Sequence, residues 1–385
     1  MLRTVKIDKF RGFPSFELQN LGRLNLLVGT NNSGKTSILE AIQLLCSRSN
    51  LEPLIETMRK RGEYFVAEDI RRPRRELDIR HLFYNHEIEP GSQFSVSGVN
   101  ANISESFTAS IKLQIPRRDG LHTDAADQLT IFENEDFDGR LDDRVLEFTI
   151  KWMYGENEEI WDRPLSINGG LDDEYIRRFR AIGIAKKNQI KTQFINSSAL
   201  TAQKMIELFE EIVLTPEENL LQEALQIVDP NIERIASVSS KNMRLESRLR
   251  LESRDGFVVR LRGQEQRVPI GSMGDGIWRM LGLALATVGA ADGVLFVDEI
   301  DTGLHFSTMS DMWRLIWGAA KRLNVQVFAT THSSDCWTSL ASLASQEDTE
   351  ENGITIQRIE RDKSASIVFN EREIVIAANR GIEVR

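Results

Sequence analysis

Apolar positions along this chain follow two different patterns. Towards both ends, short and mostly apolar runs are separated by segments with helical spacing, which is typical of buried parallel strands joined by helices. The runs that predict buried strands cover residues 24–28, 293–297 and 325–330. Over residues 86–170, apolar and polar residues alternate instead, which indicates antiparallel strands. The pattern therefore predicts an α/β fold with an antiparallel β extension of its N-terminal lobe.

Changes in this pattern divide the chain into four parts. Residues 1–85 are expected to form the N-terminal part of the α/β core, and residues 191–345 its C-terminal part with a helical subdomain. The β-rich insertion 86–190 separates them, and a hairpin with a helix is predicted over 346–385. No heptad pattern is sustained over several repeats, so we expect no long coiled coil.

The most specific motif lies between the first apolar run and the first predicted helix. Residues 29–36, called the phosphate loop below, fit G-x-x-x-x-G-K-[ST] at every fixed position. Backbone N–H groups of such a loop, with the helix N-terminus, form a nest for phosphate oxygens. Lys35 is expected to reach the β- and γ-phosphates of ATP, and Thr36 to hold Mg²⁺. The residues expected to contact the nucleotide here are Gly29, Thr30, Asn31, Asn32, Ser33, Gly34, Lys35, Thr36 and Ser37.

Two carboxylates end the second apolar run. Asp298 and Glu299 directly follow residues 294–297, which are all apolar. A buried parallel strand delivers such residues to its carboxyl end, where open α/β sheets bind ligands. We expect Asp298 to act on Mg²⁺ and Glu299 to be the base that polarises the attacking water.

Composition and charge argue against some classes of function but do not identify the function. The 385 residues carry a net charge of −10, which argues against a protein that coats nucleic acid indiscriminately. A local basic patch at residues 71–75 keeps nucleic acid binding possible. No apolar run approaches the roughly 20 residues that cross a bilayer. Cys46 and Cys336 show no metal spacing and are expected to be buried thiols in a reducing, cytoplasmic setting without membrane contact.

Four further elements resemble those of the ABC-type ATPases of the SMC/RecF/OLD group. One precedes the phosphate loop, one precedes the helix that leads to Asp298, and two follow the later apolar runs. In chain order they are Phe10-Arg11-Gly12-Phe13, Ser272-Met273-Gly274-Asp275-Gly276, Asp301-Thr302-Gly303-Leu304-His305 and Thr331-His332-Ser333. Two positions depart from the group: Lys9 stands where asparagine is commoner, and Asp275 replaces a small or polar residue of the signature element.

The resemblance implies roles for several of these residues. Arg11 is expected near the nucleotide, and Asp301 beside it at a dimer interface. Ser272 and Gly274 are expected to contact the γ-phosphate that is bound to the other subunit. His332 is expected to hydrogen-bond the γ-phosphate, which completes a catalytic set with Lys35 and Glu299.

The resemblance also implies an assembly and a biological role. The assembly is a head-to-tail homodimer with two ATPs between the subunits. OLD-group proteins often carry a TOPRIM nuclease domain, for which the roughly 40 residues after position 345 are too few. We therefore expect a stand-alone OLD-like ATPase that regulates a separate effector, a nuclease or a toxin, in anti-phage defence. The alternatives are a RecF-like DNA-repair ATPase and a scaffold that binds ATP with little turnover.

Overall fold

The structure is a computed structural model of the chain. It describes residues 1–48, 50–67, 74–100, 103–114, 145–166, 168–172, 190–197, 200–238, 256–345 and 353–385. The predicted basic patch falls largely outside this part of the chain, because only the backbone of Arg74 and Arg75 is included.

A central sheet of six strands carries the fold. Its members are β3 (Leu24–Val28), β11 (Thr192–Ile195), β15 (Val294–Val297), β16 (Gln326–Thr330), β17 (Ile354–Arg358) and β18 (Ile367–Phe369). In the order β11-β15-β16-β3-β17-β18, the first five strands run parallel and β18 runs antiparallel. Successive side chains, such as Leu26 and Leu27, enter different hydrophobic cores on the two faces. Burial on both faces explains why β3, β15 and β16 are mostly apolar and do not alternate.

Helices cover both faces of this sheet. On one face lie α1 (Lys35–Ser47) and α2 (Glu52–Lys60), whose apolar residues belong to the core that is shared with an antiparallel sheet. The other face packs against the remaining helices, which include the predicted helical subdomain. These are α3 (Ala202–Ile212), α4 (Glu218–Val228), α5 (Asp275–Gly289), α6 (Met309–Arg322), α7 (Ser334–Ala344) and α8 (Glu371–Arg380).

The predicted antiparallel extension is confirmed as a six-stranded sheet. Its strands are β1 (Leu2–Phe10), β2 (Phe13–Leu18), β6 (Gln93–Asn100), β7 (Ile103–Gln114), β8 (Val145–Tyr154) and β9 (Asn157–Pro164), in the order β2-β1-β6-β7-β8-β9. The alternation did not predict β9, because this edge strand begins with four exposed residues and has no regular buried face there. The sheet packs its apolar side chains against α1 and α2.

Two small sheets complete the described architecture. One joins β4 (Tyr64–Ala67), β5 (Arg74–Leu77) and β10 (Leu171–Asp172), and the other joins β12 (Ile232–Ser237), β13 (Phe257–Leu261) and β14 (Arg267–Pro269). Short helical turns of the 3₁₀ type cover Ile79–Leu82, Tyr84–His86, Ile270–Met273 and Phe306–Thr308.

The predicted C-terminal hairpin pairs with a strand from the N-terminal part of the chain. Its first strand, β17, pairs in parallel with β3 from Ile354 opposite Leu24 to Arg358 opposite Val28. The hairpin is therefore part of the central sheet. Periodicity could not reveal this, because pairing between strands more than 300 residues apart leaves no local pattern.

Burial agrees with the remaining expectations for the core. Cys46 and Cys336 are both buried free thiols. Within the described residues, no helix combines the length and the apolar character that a membrane span requires.

Candidate functional site

Three neighbouring parallel strands deliver the predicted site to one edge of the central sheet. β3 leads into the phosphate loop and α1, β15 leads into Asp298 and Glu299, and β16 leads into Thr331 and His332. These strands are adjacent in the order β15-β16-β3. Since the carboxyl ends of parallel strands share one edge, motifs that are some 300 residues apart along the chain come together there.

The phosphate loop needs glycine at both of its ends. Gly29 has φ 146°, and a Cβ atom there would lie 2.5 Å from the carbonyl oxygen of Ile359. Gly34 has φ 93° and caps α1, and a Cβ atom there would collide with the ring of Phe13. Both positions combine a left-handed backbone with close packing, which only glycine tolerates. The ring of Phe13, which belongs to the Phe10–Phe13 element, therefore packs against the phosphate loop at Gly34.

Lys35 lies folded into the phosphate loop. Its Nζ donates to the carbonyl oxygens of Gly29 and Thr30 at 2.8 Å each, and its distance to Ser33 Oγ is 3.4 Å. Burial lowers the pKa of Lys35 to about 8, although the carboxylates of Asp298 and Glu299 offset part of this effect. A phosphate group would supply the missing counter-charge.

Thr36 and Asp298 meet although 262 residues separate them. The Thr36 hydroxyl lies 3.1 Å from Asp298 Oδ1 and 3.0 Å from Oδ2, and the Thr330 hydroxyl donates to Oδ1 at 2.6 Å. No group of three or more histidine, cysteine or carboxylate side chains in the described residues could form a metal cage. Mg²⁺ usually takes only one or two protein oxygens and completes its shell with phosphates and water. A hydroxyl next to a carboxylate, beside an amide-lined loop, fits that ion.

Glu299 sits on a strained backbone at the same edge. Its φ is 48°, and its N–H donates to the hydroxyl of Thr330 at 2.8 Å. Its side chain is partly exposed and has two neighbours: Thr302 Oγ1 lies 3.3 Å from Oε2, and His332 Nε2 lies 3.9 Å from Oε1. The positive φ is the kind of local strain that accumulates at functional sites. A φ of 48° is not an extended conformation, so the chain turns at Glu299 after β15.

Arg279 supports this turn, and the sequence interpretation missed it. It is buried in the second turn of α5 and donates to the carbonyl oxygens of Asn196, Asp298 and Glu299 at 2.7, 3.1 and 2.8 Å. Burial lowers its pKa to about 10, with Asp301 and the two neighbouring carboxylates acting in the opposite direction. A signal was available, because Arg279 is the one charged residue in the apolar run 277–288.

His332 follows β16 as predicted, and its neighbours fix its main chain. The hydroxyl of Thr331 donates to Asp301 Oδ1 at 2.6 Å and accepts the N–H of Ser333 at 3.0 Å. The imidazole is partly exposed and faces Glu299. The predicted residues Asp301 and His332 are thus linked through Thr331.

Arg11 lies in a buried ionic cluster next to α1. Its guanidinium contacts Glu63 at 2.5 and 3.0 Å and Glu40 at 3.0 Å, and it is 5% exposed. Arg61 closes the cluster with an ion pair to Glu40 at 2.7 Å. Glu40 lies one helical turn after Thr36 in α1, so the cluster braces the helix that carries the loop. A contact of Arg11 with the nucleotide stays a prediction.

Ser272 and Gly274 occupy an exposed turn at the start of α5. Ser272 donates to the carbonyl oxygen of Pro269 at 2.7 Å, and Gly274 has φ 96° with open space where a Cβ would lie. A Cβ atom at Gly303 would lie 3.6 Å from that of Asp275. The turn therefore borders the loop that begins at Asp301.

Comparisons with known proteins identify a family and one long relative. The family described as "AAA ATPase domain" matches residues 1–336. A Helicobacter pylori protein named "ATP/GTP phosphatase" is 23% identical over 352 residues, which cover 87% of this chain and 86% of that protein.

Solved structures give a more distant likeness. An SMC head bound to the C-winged helix domain of ScpA is 13% identical, covers 96% of this chain and 97% of its own, and has a TM-score of 0.45. A Pyrococcus furiosus Smc head domain bound to the C-terminal domain of ScpA is 12% identical, covers 99% of both chains, and has a TM-score of 0.43.

Proposed function

We propose, since this chain belongs to the AAA ATPase domain family, that it binds ATP with Mg²⁺ and hydrolyses it at the edge of the central sheet. The observation that carries the proposal is the meeting of Thr36 and Asp298 at 3.0 Å. Hydroxyl and carboxylate come from the two half-motifs that hold the metal of a nucleoside triphosphate in P-loop enzymes. A chance glycine-rich turn would not require that partner.

The chain's own groups account for the chemistry. Amides of the phosphate loop and the N-terminus of α1 hold the phosphate oxygens, and Lys35 exchanges its carbonyl partners for them. Mg²⁺, when bound by Thr36 and Asp298, would neutralise negative charge on those oxygens. Glu299 orients a water and accepts its proton as the water oxygen bonds to the γ-phosphorus. The bond from that phosphorus to the bridging oxygen breaks, which releases ADP and phosphate, and His332 donates a hydrogen bond to the transferred group.

Phosphate release with Mg²⁺ and ATP tests the proposal. Wild type is expected to turn over, and Asp298→Asn to lose most of this activity because one ligand charge is removed. Asp292→Asn is a matched control, since Asp292 is exposed two residues before β15, at its opposite end. GTP belongs in the same assay, because the Helicobacter pylori relative is named for both nucleotides. The absence of any release by folded wild type, or equal rates for the two variants, would contradict the proposal.

We extend the proposal to a head-to-tail dimer that closes around two ATPs. Supporting it, Ser272 and Gly274 are exposed at a helix N-terminus, where a γ-phosphate from a second chain could bind. Mixing two inactive variants tests this. Lys35→Ala and Ser272→Arg each disable both sites of their own dimers, whereas a mixed dimer keeps one site with an intact loop and an intact turn. Recovery of activity on mixing supports shared sites, and its absence at any ratio counts against them.

The resemblance to the OLD group supports a further role, in which opening and closing of this dimer regulates a separate nuclease or toxin in anti-phage defence. The effector is expected to bind one nucleotide state more tightly than the other, because a ligand can shift a conformational equilibrium only through such a difference. Co-purification of a co-expressed neighbouring gene product, with and without ATP, tests this role. Equal binding in both states would contradict regulation by the nucleotide.

A further inference from the structure

The last residues of the sequence lie against the histidine loop of the candidate site. α8 ends at Gly381, which adopts a left-handed conformation with φ 63°, and the following residues turn back towards α7. Val384 is fully buried in the core cluster, whereas Glu383 and Arg385 on either side of it are exposed in part. The buried valine fixes this short segment, so its two charged neighbours are held in place without a large further entropic cost.

Arg385 and Glu383 bind the main chain and side chains that surround His332. The guanidinium of Arg385 donates to the carbonyl oxygen of His332 at 2.5 Å. Glu383 accepts from the buried indole N–H of Trp337 at 3.1 Å and from the hydroxyl of Ser334 at 3.3 Å. The N–H of Arg385 donates back to Glu383 at 3.2 Å, so the two charged residues act as one unit.

This unit completes the support of the histidine from a second side. On the first side, the Asp301–Thr331 hydrogen bond holds the residue before it, and Ser333 caps α7 by accepting the N–H of Cys336 at 3.3 Å. The imidazole of His332 has the Glu299 carboxylate 3.9 Å away and is partly exposed. Arg385 holds the carbonyl group of His332, so the point from which the imidazole projects depends on this contact.

We propose that Arg385, aligned by Glu383, is a positioning residue for His332. The proposal rests on the hydrolysis proposed above, in which the imidazole donates to the γ-phosphate. A displacement of about 1 Å at a group that contacts the reacting atoms can cost on the order of 100-fold in rate. A partly exposed hydrogen bond is individually weak, so its loss is expected to shift the imidazole without unfolding the chain.

Steady-state kinetics test the proposal through a split between kcat and KM. Arg385→Ala is expected to lower kcat about tenfold and leave KM within about twofold, because the loop and the metal site are untouched. Arg385→Lys keeps a cationic donor and is expected to restore part of the rate. Arg380→Ala removes an exposed arginine from the last turn of α8 and serves as the matched control, with an unchanged kcat expected. In a His332→Ala background, Arg385→Ala is expected to add no further loss, since the two residues act in series.

Nuclear magnetic resonance of the ring protons supplies a readout that does not need turnover. The chain has five histidines, and the His332 signal is assigned by its absence in His332→Ala. Arg385→Ala is expected to shift that signal, and Arg380→Ala to leave it in place. If the protein hydrolyses no nucleotide but the signal shifts, the positioning contact stands and the proposed function fails. An unmoved signal in Arg385→Ala, or an additive loss of kcat in the double variant, overturns the proposal.

Discussion

The two six-stranded sheets of this protein differ in how their strands are connected along the chain. The antiparallel sheet is built largely from hairpins of neighbouring strands, and its inner face carries aromatic rings in contact with one another, such as those of Phe94 and Phe107. The parallel sheet takes adjacent strands from residues 24–28, 294–297 and 326–330 and places their ends at one edge.

Polar groups at the edge of the parallel sheet also differ from those on the outer face of the antiparallel sheet. At the edge of the parallel sheet, Glu299 has a left-handed backbone and Lys35 is buried with its pKa lowered by that burial. On the outer face of the antiparallel sheet, charged residues such as Lys6 and Asp8 form exposed pairs. Buried and incompletely neutralised charge costs stability and is retained where a ligand makes use of it. Substitutions at the edge of the parallel sheet are therefore expected to change kcat. Substitutions in the core of the antiparallel sheet are expected to change the free energy of unfolding.

The largest effect is expected at Glu299. Glu299→Gln removes the proposed base while it preserves shape and hydrogen-bonding capacity, so kcat is expected to fall by about 10²–10⁴-fold. The side chain is partly exposed, and the midpoint of chemical unfolding is expected to stay unchanged. Parallel measurements of phosphate release and of denaturant unfolding check both halves. Loss of stability with an unchanged kcat would mean that Glu299 supports folding and not hydrolysis.

Phe94 offers the opposite outcome. It is 1% exposed in β6, and its ring contacts those of Phe10, Phe83 and Phe107. Phe94→Ala is expected to cost about 3–5 kcal/mol of unfolding free energy through lost burial and a cavity. The rate per folded molecule is expected to stay the same. Val99→Ala, at a position 40% exposed on the same strand, is the control and should change stability by less than about 0.5 kcal/mol.

A smaller effect is expected from pH acting on Lys35. Because its pKa in the free protein is about 8, the charged form that binds phosphate is lost as pH rises above that value. The ratio kcat/KM is then expected to fall about tenfold per pH unit above 8, since it reports groups of the free enzyme.

The lowered pKa of Lys35 also determines the direction in which folding stability changes with pH. The unfolded chain holds this proton up to the ordinary value of 10.5, so Lys35 makes folding more favourable as pH rises from about 8 towards 10.5.

A profile of kcat/KM that stays flat to pH 10, with wild type still folded, would show that Lys35 keeps its proton.

The smallest effect is expected on the outer face of the antiparallel sheet. Lys6 Nζ lies 3.0 Å from Asp8 Oδ2, with 53% of the lysine side chain exposed. Lys6→Ala is expected to lower the unfolding free energy by less than about 1 kcal/mol and to leave kcat unaltered, because solvent and salt screen such pairs. Denaturant unfolding at low and high salt measures it. A larger loss would mean that charges on this face contribute more to folding than exposed ion pairs usually do.

Much of this difference between the sheets could be predicted from the sequence. Mostly apolar runs indicated the parallel strands, and alternation indicated the hairpins of the antiparallel sheet, because burial on two faces or on one face leaves different patterns. The phosphate loop and the Asp298-Glu299 pair were recognisable because phosphate and metal binding demand fixed residue types at fixed spacing. The match to the AAA ATPase domain family confirms the predicted ATPase family, and hydrolysis by this chain stays a proposal.

The supporting residues could not be predicted in the same way. Arg279 and Arg385 act on carbonyl oxygens, and any arginine at the right place in space can do so whatever its sequence context. The buried partners of Arg11 are Glu40 and Glu63, which have no common motif and meet through tertiary packing. Sequence patterns thus indicate groups that face a ligand more readily than groups that hold them.

Light scattering of Glu299→Gln measures whether two chains close around ATP. This variant is expected to retain bound ATP because the hydrolytic step is blocked. With Mg²⁺ and saturating ATP the measured mass should be that of two chains, and with ADP or without nucleotide it should be that of one chain. A single-chain mass in every condition, with ATP binding demonstrated in the same sample, would contradict the account.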